Sequence, residues 1–378
     1  MKKTSMAWRV VTLGLAGTLA LSGMGGLAAC SSASTTQEST STTETTQSTD
    51  ASTRTVTVDG TDNEIPAEVD KVAPTIGALA QITMMLSPTE GKVAATSTAQ
   101  ISDEFKTVLP AYEEGNGQGY DTSDVEQIIQ SGAQVAYGPS SAYSDEQKQQ
   151  LSDAGVVFIP MDNITTVDGI CDTTLAIGTI LGGDAETRAE EFVQYWKGNT
   201  EDAENRTANL TADEKPTVLA LAYSNGSWTT ETGQSMIASY IEAAGGTCLS
   251  KDYTAQEGSG GGRGKSGAVV DEEQIVSWNP DYIITYSTEA TDALLSDAAL
   301  ADVTAIKEGH VYTSPKGLYL WSVRSGEGAL MAPWIDTKIN PDLFSDVDMT
   351  KMVKDFFSTW YGYDLSDADA EAVLNGTY

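Results

Sequence analysis

From about residue 54 onward, short apolar runs of strand character alternate with stretches whose apolar positions recur every three or four residues. Lys92–Ser97, Gln134–Tyr137 and Val156–Pro160 read as strands in the first half, and Thr217–Tyr223 and Tyr282–Tyr286 in the second. Between them, Ser123–Ser131, Tyr143–Ala154 and Gln234–Ala244 read as helices. In the last of these Ile237, Tyr240, Ile241 and Ala244 share one face, and Gly245-Gly246 ends it. Strand–helix alternation predicts parallel sheets covered by helices, an α/β fold. Near the middle, Ala189, Phe192, Val193 and Trp196 form a further apolar stripe, with Asp184 expected as its N-cap after Gly182-Gly183. That helix is expected to run past Gly198 toward Ala208. The halves on either side echo each other. Asp124–Ile129 precedes a strand ending at Tyr137, and Asp271–Val276 precedes one ending at Tyr286. Each strand then enters a small-residue loop, Gly138–Ser141 or Ser287–Ala290, followed by a helix. The expectation is two Rossmann-like lobes, 54–183 and 209–378, joined by one long inter-lobe helix over 184–208.

The N-terminus breaks this pattern. Lys2, Lys3 and Arg9 precede an apolar run from Val10 to about Leu21, then small residues and Leu27-Ala28-Ala29-Cys30. The layout is that of an export signal, and the final four residues resemble the lipobox of bacterial lipoproteins, in which the cysteine is lipidated and the chain is cut before it. The alternative is an uncleaved membrane span, since Val10–Ala29 is about long enough. Either way the rest of the chain lies outside the cytoplasm, which removes most ATP- and NAD-driven chemistry. The expected signal peptide covers residues 1–29. Residues 30–53, almost wholly Ser, Thr, Gln, Glu and Ala up to Ser52, have no apolar periodicity and are expected to be a disordered tether. The expected location is the extracytoplasmic face of the cell membrane, anchored through lipid on Cys30.

Composition narrows the partners. With 21 Lys+Arg against 54 Asp+Glu the chain carries a formal charge of −33, so nucleic acid is not expected as a partner. The long folded part exceeds what one core usually fills, again favouring two lobes. Besides Cys30 there are only Cys171 and Cys248, expected as small buried thiols with a disulfide as the alternative. The single histidine, His310, is expected to be structural. One histidine and two dispersed cysteines do not make a site for bare zinc or manganese, and no EF-hand loop occurs. Gly258–Ser266 is glycine-rich and ends in Gly-Lys-Ser, but Ser259 stands where a phosphate loop needs its first glycine, so a mobile loop is expected. No nucleophile has a partnering base. No cofactor and no catalytic residue is expected.

What the chain offers is aromatic side chains at strand-end loops: Tyr137, Tyr223, Trp228, Tyr286, Tyr319 and Trp321. Ligands of open α/β sheets bind outside the carboxyl ends of the strands, where aromatic rings stack and donate hydrogen bonds. Arg324, one of few cations, could clamp a carboxylate, phosphate or catecholate.

Several segments in order carry a family likeness. Arg54–Gly60 with Ile65-Pro66 and Asp70–Ala73 resembles an opening hairpin and first strand. Glu273–Ile284 (EQIVSWNPDYII) is similar to an E-x-[IL]-x-x-x-N-P-D-x-[IV]-[IV] segment, and Val303–Tyr312 to L-x-A-V-K-x-G-x-V-Y. Trp321–Leu330, Asn340–Phe344 and Phe356–Leu365 continue the pattern. Together they resemble the substrate-binding lipoproteins of ABC importers for iron-siderophore, haem and cobalamin, the class III periplasmic binding proteins. Ser131–Gln134 stands where the first half would carry Asn-Pro-Asp. The resemblance implies a ligand between two lobes and no enzymatic activity. By it, Pro74, Thr75, Tyr137, Gly138, Tyr223 to Trp228, Tyr286, Ser287, Thr288 and Tyr319 to Arg324 face the cleft. It also implies carboxylates that dock the permease, by position Asp145 or Glu146 in one lobe and Glu289 in the other. The expected cargo is a chelated metal complex, a ferric siderophore first, with haem or a corrinoid behind it. The expected partners are that small molecule, an ABC permease and the membrane, the chain acting as a monomer. The competing class is an exported hydrolase using paired carboxylates.

Overall fold

The computed structural model describes residues 52–233, 235–254 and 267–378. The expected signal segment, Cys30, nearly all of the tether and the Gly258–Ser266 run lie outside the described residues. The described chain opens with an antiparallel hairpin, β1 (Thr53–Val58) and β2 (Thr61–Pro66), turning at Asp59-Gly60, both at positive φ. Alternation along it buries Val56, Val58 and Ile65. Arg54 fixes the hairpin by donating to the carbonyls of Ala67, Thr179 and Ile180, the last two at the C-terminal end of the Val167–Leu181 helix.

A parallel sheet follows, ordered β3 (Val72–Pro74), β4 (Val135–Gly138), β5 (Val157–Pro160). The expected strand at Lys92–Ser97 contributes only isolated parallel bridges, Val72 to Val93 and Thr96 to Asp121. The connecting helices begin where side chains can cap them. Asp124 accepts from Glu126 N ahead of Val125–Ser131, and Ser144 forms a capping box with Gln147 ahead of Asp145–Asp153.

The inter-lobe helix spans Asp184–Thr207. Its N-cap is Gly183 rather than Asp184, which sits in the first turn and complements the helix dipole. Ala189, Phe192, Val193 and Trp196 are buried as the stripe predicts. Arg188 on this helix donates to Met85 O, closing the Gly77–Leu86 helix, and to Thr359 O and Trp360 O near the C-terminus.

The second half is a mixed sheet around β6 (Thr217–Ser224). β6 turns at Asn225-Gly226 into antiparallel β7 (Ser227–Glu231) and pairs in parallel with β8 (Thr247–Cys248). β9 (Gly267–Val270) continues from β7, and β10 (Tyr282–Thr285) and β11 (Val311–Thr313) extend the other side in parallel, giving the order β11-β10-β6-β7-β9. The chain ends by packing Phe356, Trp360 and Tyr361 back toward the inter-lobe helix, Trp360 meeting Phe192 edge-on at 4.9 Å. One hydrophobic cluster runs from the first sheet through this helix into the second half, while the outer faces of the two sheets have separate clusters. The architecture is α/β, two Rossmann-like lobes bridged by one long helix. Cys171 and Cys248 are free and buried. His310 stacks flat on Tyr282 at 4.5 Å, with Nδ1 3.2 Å from Asp281 O.

Candidate functional site

The carboxyl ends of β3 and β4 carry the first group of expected residues. Thr75 follows β3, its N–H held by Tyr137 O at 2.9 Å. Its hydroxyl is buried and has no hydrogen-bond partner among the described residues. Gly138 lets the two strand ends approach, since a Cβ there would come within 1.8 Å of Thr75 Oγ1. Pro74 is buried in the strand itself.

The second group comes from the other lobe. Tyr286 follows β10, and its hydroxyl is also buried without a partner. Burial drives the Tyr286 phenol well above its usual pKa, with the Glu231 carboxylate adding to the rise. Burial likewise raises Glu231, at the end of β7, while Arg324 pulls it back. Arg324 forms no hydrogen bond or ion pair among the described residues. Tyr223, half-buried, leans on Trp228 at 4.5 Å across the β6–β7 hairpin.

The loop after β11 joins the two groups. Trp321 N bonds back to Pro315 O, and Tyr319 OH reaches Gln100 Oε1 of the first lobe at 3.5 Å. Gln100 Oε1 in turn accepts from Gly77 N at 2.6 Å, two residues beyond Thr75. At the far end of the loop, Gly326 N donates to Gln81 Oε1, also in the first lobe. Between these ties lie Ser322 and Ser325, fully buried, with hydroxyls that have no partner. Four unpartnered hydroxyls and one cation are therefore carried by two strand ends and the loop that crosses between lobes. Hydroxyls both donate and accept, so such a set suits oxygen-rich ligands. Among the described residues no three His, Cys, Asp or Glu side chains group as a metal site.

Three expected cleft aromatics lie elsewhere. Tyr137 is fully buried, its hydroxyl 2.5 Å from Thr83 Oγ1. Trp321 is fully buried and its indole N–H donates to Glu327 Oε2 at 2.9 Å. Trp228 is nearly so, packed in the core of the second sheet's outer face. Tyr137 lies within β4, buried along its whole length, Trp228 lies on the buried face of β7, and Trp321 turns inward from its loop to reach Glu327. Ser287 serves as N-cap, accepting from Ala290 N, and Thr288 is exposed in the first turn of its helix. The sequence reading placed Ser322 within the Tyr319–Arg324 stretch but missed Glu231, Ser325 and the buried pair Gln81 and Glu327. Two polar residues, Gln81 and Thr83, inside the apolar run GALAQITMML were the available signal, because buried polar groups imply partners.

A model for periplasmic binding proteins matches residues 136–318. The match covers just under half of the chain, which over that stretch resembles periplasmic binding proteins. A periplasmic solute binding protein from Veillonella parvula superposes on this chain with a TM-score of 0.70 at 25% identity, covering 85% of this chain and 97% of that one. The molybdate-binding protein MolA of Haemophilus influenzae is 30% identical over 92 residues, 24% of this chain and 26% of MolA, so the match spans about a quarter of that relative. The ABC transporter substrate-binding lipoprotein YvrC of Bacillus subtilis is 22% identical over 262 residues, 68% of this chain and 77% of YvrC. In this chain Asp145 and Glu146 lie exposed in the first turn of the helix after β4, and Glu289 lies exposed in the first turn of the helix after β10. The three carboxylates thus occupy matching places in the two lobes.

Proposed function

We propose that this chain captures a chelated metal complex outside the cytoplasmic membrane, tethered through lipid on Cys30, and hands it as a monomer to an ABC permease. It changes no bond in its cargo. The four unpartnered hydroxyls and Arg324, carried by two strand ends and the loop between lobes, support this reading. A buried polar group without a partner costs about 1–3 kcal/mol, so the closed arrangement of Thr75, Tyr286, Ser322 and Ser325 is stabilised by a ligand that offers oxygens to them. Arg324 offsets negative charge on that ligand. Tyr223, Tyr286 and Tyr319 supply the aromatic contacts that Tyr137 and Trp321 do not. A ferric siderophore, with catecholate or hydroxamate oxygens, fits these groups better than haem or a corrinoid, whose large apolar faces would meet few exposed rings. Asp145 or Glu146 and Glu289, on matching turns, are the proposed contacts for arginines of the permease.

A second reading has one specific support. A set of hydroxyl donors with one arginine also suits a compact tetrahedral oxyanion, and a partial relative is named for binding molybdate. Calorimetry on the protein with a ferric catecholate, a ferric hydroxamate, haem, cobalamin and molybdate separates them. Saturable one-to-one binding of one compound is expected, and Arg324→Ala should weaken it at least about tenfold, the loss of one charge-assisted bond. Binding of none of the five, or turnover of any, would defeat the proposal. Binding that ignores Arg324→Ala would take Arg324 out of the site.

A further inference from the structure

Glu327 is a fully buried carboxylate in the short turn Gly326–Leu330. Four donors converge on it. Oε1 accepts from Leu318 N at 2.9 Å and from Tyr361 OH at 2.7 Å. Oε2 accepts from Gly317 N at 3.1 Å and from Trp321 Nε1 at 2.9 Å. Gly317 must be glycine for this approach, since a Cβ there would stand 2.3 Å from Oε2. No ion pair among the described residues includes Glu327, so dipoles alone hold its charge. The bonds continue into the first lobe. Gln81 Nε2 donates to Tyr361 OH, and Gln81 Oε1 accepts from Gly326 N, next to Glu327 itself. The ring Glu327–Tyr361–Gln81–Gly326 therefore closes across the lobes. Its two ends bracket the residues from Gly317 to Gly326.

We propose that Glu327 is the positioning residue of the ligand loop: its carboxylate sets Gly317–Trp321 and, through Tyr361 and Gln81, holds Ser322–Ser325 against the first lobe. This rests on the reading of that loop as part of the ligand site. The ring is also built for the ionised form. Two amides and an indole can only donate, and Tyr361 already accepts from Gln81. A proton on Glu327 could go only to Tyr361, whose own hydrogen would then lose its acceptor. The titratable groups that face Glu327 are Tyr361 and, at the C-terminus, Tyr378; Gln81 and Trp321 are neutral. Burial pushes the Glu327 carboxyl up to about 7, against the four donors. The loop is thus tied most firmly above neutral pH and loosens as pH falls.

Three full-length proteins test this: wild type, Glu327→Gln and Tyr361→Phe. Hydrogen exchange read by mass spectrometry should speed up about tenfold over 316–326 in both variants, with the Asp184–Thr207 helix unchanged. The Trp321 indole resonance, assigned by Trp321→Phe, should titrate with a midpoint near 7 in wild type and stay flat in Glu327→Gln. For whichever compound the wild type binds, both variants should weaken affinity about tenfold, the loss of one charge-assisted bond. The wild-type affinity should fall between pH 8 and 6 and that of Glu327→Gln should not. Unchanged exchange and an unchanged Trp321 titration in Glu327→Gln would overturn the proposal. If that variant does not fold, unchanged exchange in Tyr361→Phe would do the same. A wild type that binds nothing defeats the binding function, while exchange and the indole signal still decide the role of Glu327.

Discussion

Tyr137 shows how a single alternation decides between site and core. Its ring sits in β4, buried along its whole length, one residue before the strand's end, and its hydroxyl donates to Thr83 Oγ1, which itself donates to Leu79 O at 2.6 Å. Thr83→Val leaves the Tyr137 hydroxyl with no acceptor and should cost about 1–3 kcal/mol. Tyr137→Phe should cost less, because Thr83 keeps its bond to Leu79. The double variant should recover most of the loss, since neither partner is then left alone. Urea unfolding of the three variants measures the cycle. Ligand affinity should stay within about twofold for Tyr137→Phe, below the worth of one hydrogen bond, and a larger loss would return Tyr137 to the ligand site. A strand end was readable in the sequence, but which side its last ring faces depends on packing partners far away in the chain. Thr83 is such a partner here, and it is not an aromatic.

Two glycines in neighbouring helices separate propensity from packing. Gly178 lies in Val167–Leu181, where a Cβ would stand 2.5 Å from Ala189 Cβ and 2.9 Å from Ala185 O on the inter-lobe helix. Gly198 lies exposed in the inter-lobe helix with nothing within 4 Å of a Cβ. Alanine gains about 0.8–1.0 kcal/mol of helix propensity at both. At Gly178 overpacking of about 1–3 kcal/mol outweighs it, so Gly178→Ala should lower stability and Gly198→Ala should raise it. Opposite shifts in thermal midpoint check this; a rise for both would mean the helices part freely. At this scale much was legible. Short apolar runs located β4, β5, β6 and β10, and an apolar stripe the inter-lobe helix, to within a residue or two, because buried strands need continuous apolar residues and a one-sided helix needs its stripe. The β6–β7 hairpin went unread although Ser224-Asn225-Gly226-Ser227 signals it: Asn225 and Gly226 both take positive φ, as a two-residue hairpin turn requires. The Lys92–Ser97 run formed only bridges, because it meets one residue at a time on β3 and near Asp121.

The molecule as a whole carries its acidity inside as well as outside. Burial pushes Glu327 up to about 7 and Asp336 up to about 8, and raises Glu231. Asp336 is fully buried, with neither carboxyl oxygen hydrogen-bonded among the described residues. A carboxyl whose pKa is higher folded than unfolded takes up a proton on folding. Its contribution is then fully present below the unfolded value, near 4, and is lost as pH rises through the folded one. The surface acts in the same direction, because a net charge of −33 repels itself less as carboxylates are neutralised. Asp121 opposes both: bonds from Ser123 and Thr98 outweigh its burial and hold it at about 2, so its contribution is lost only as pH falls from near 4 toward that value. The urea midpoint should therefore rise as pH is lowered from 9 to about 5 and drop only under stronger acid. Each tenfold change in proton affinity is worth about 1.4 kcal/mol, so the two groups near neutrality dominate the slope between pH 6 and 9. Asp336→Asn removes one of them. It should be more stable than wild type at pH 9 and show a shallower loss from pH 6 upward. Parallel curves for the two proteins would mean that Asp336 does not remain charged and buried in the folded state at high pH.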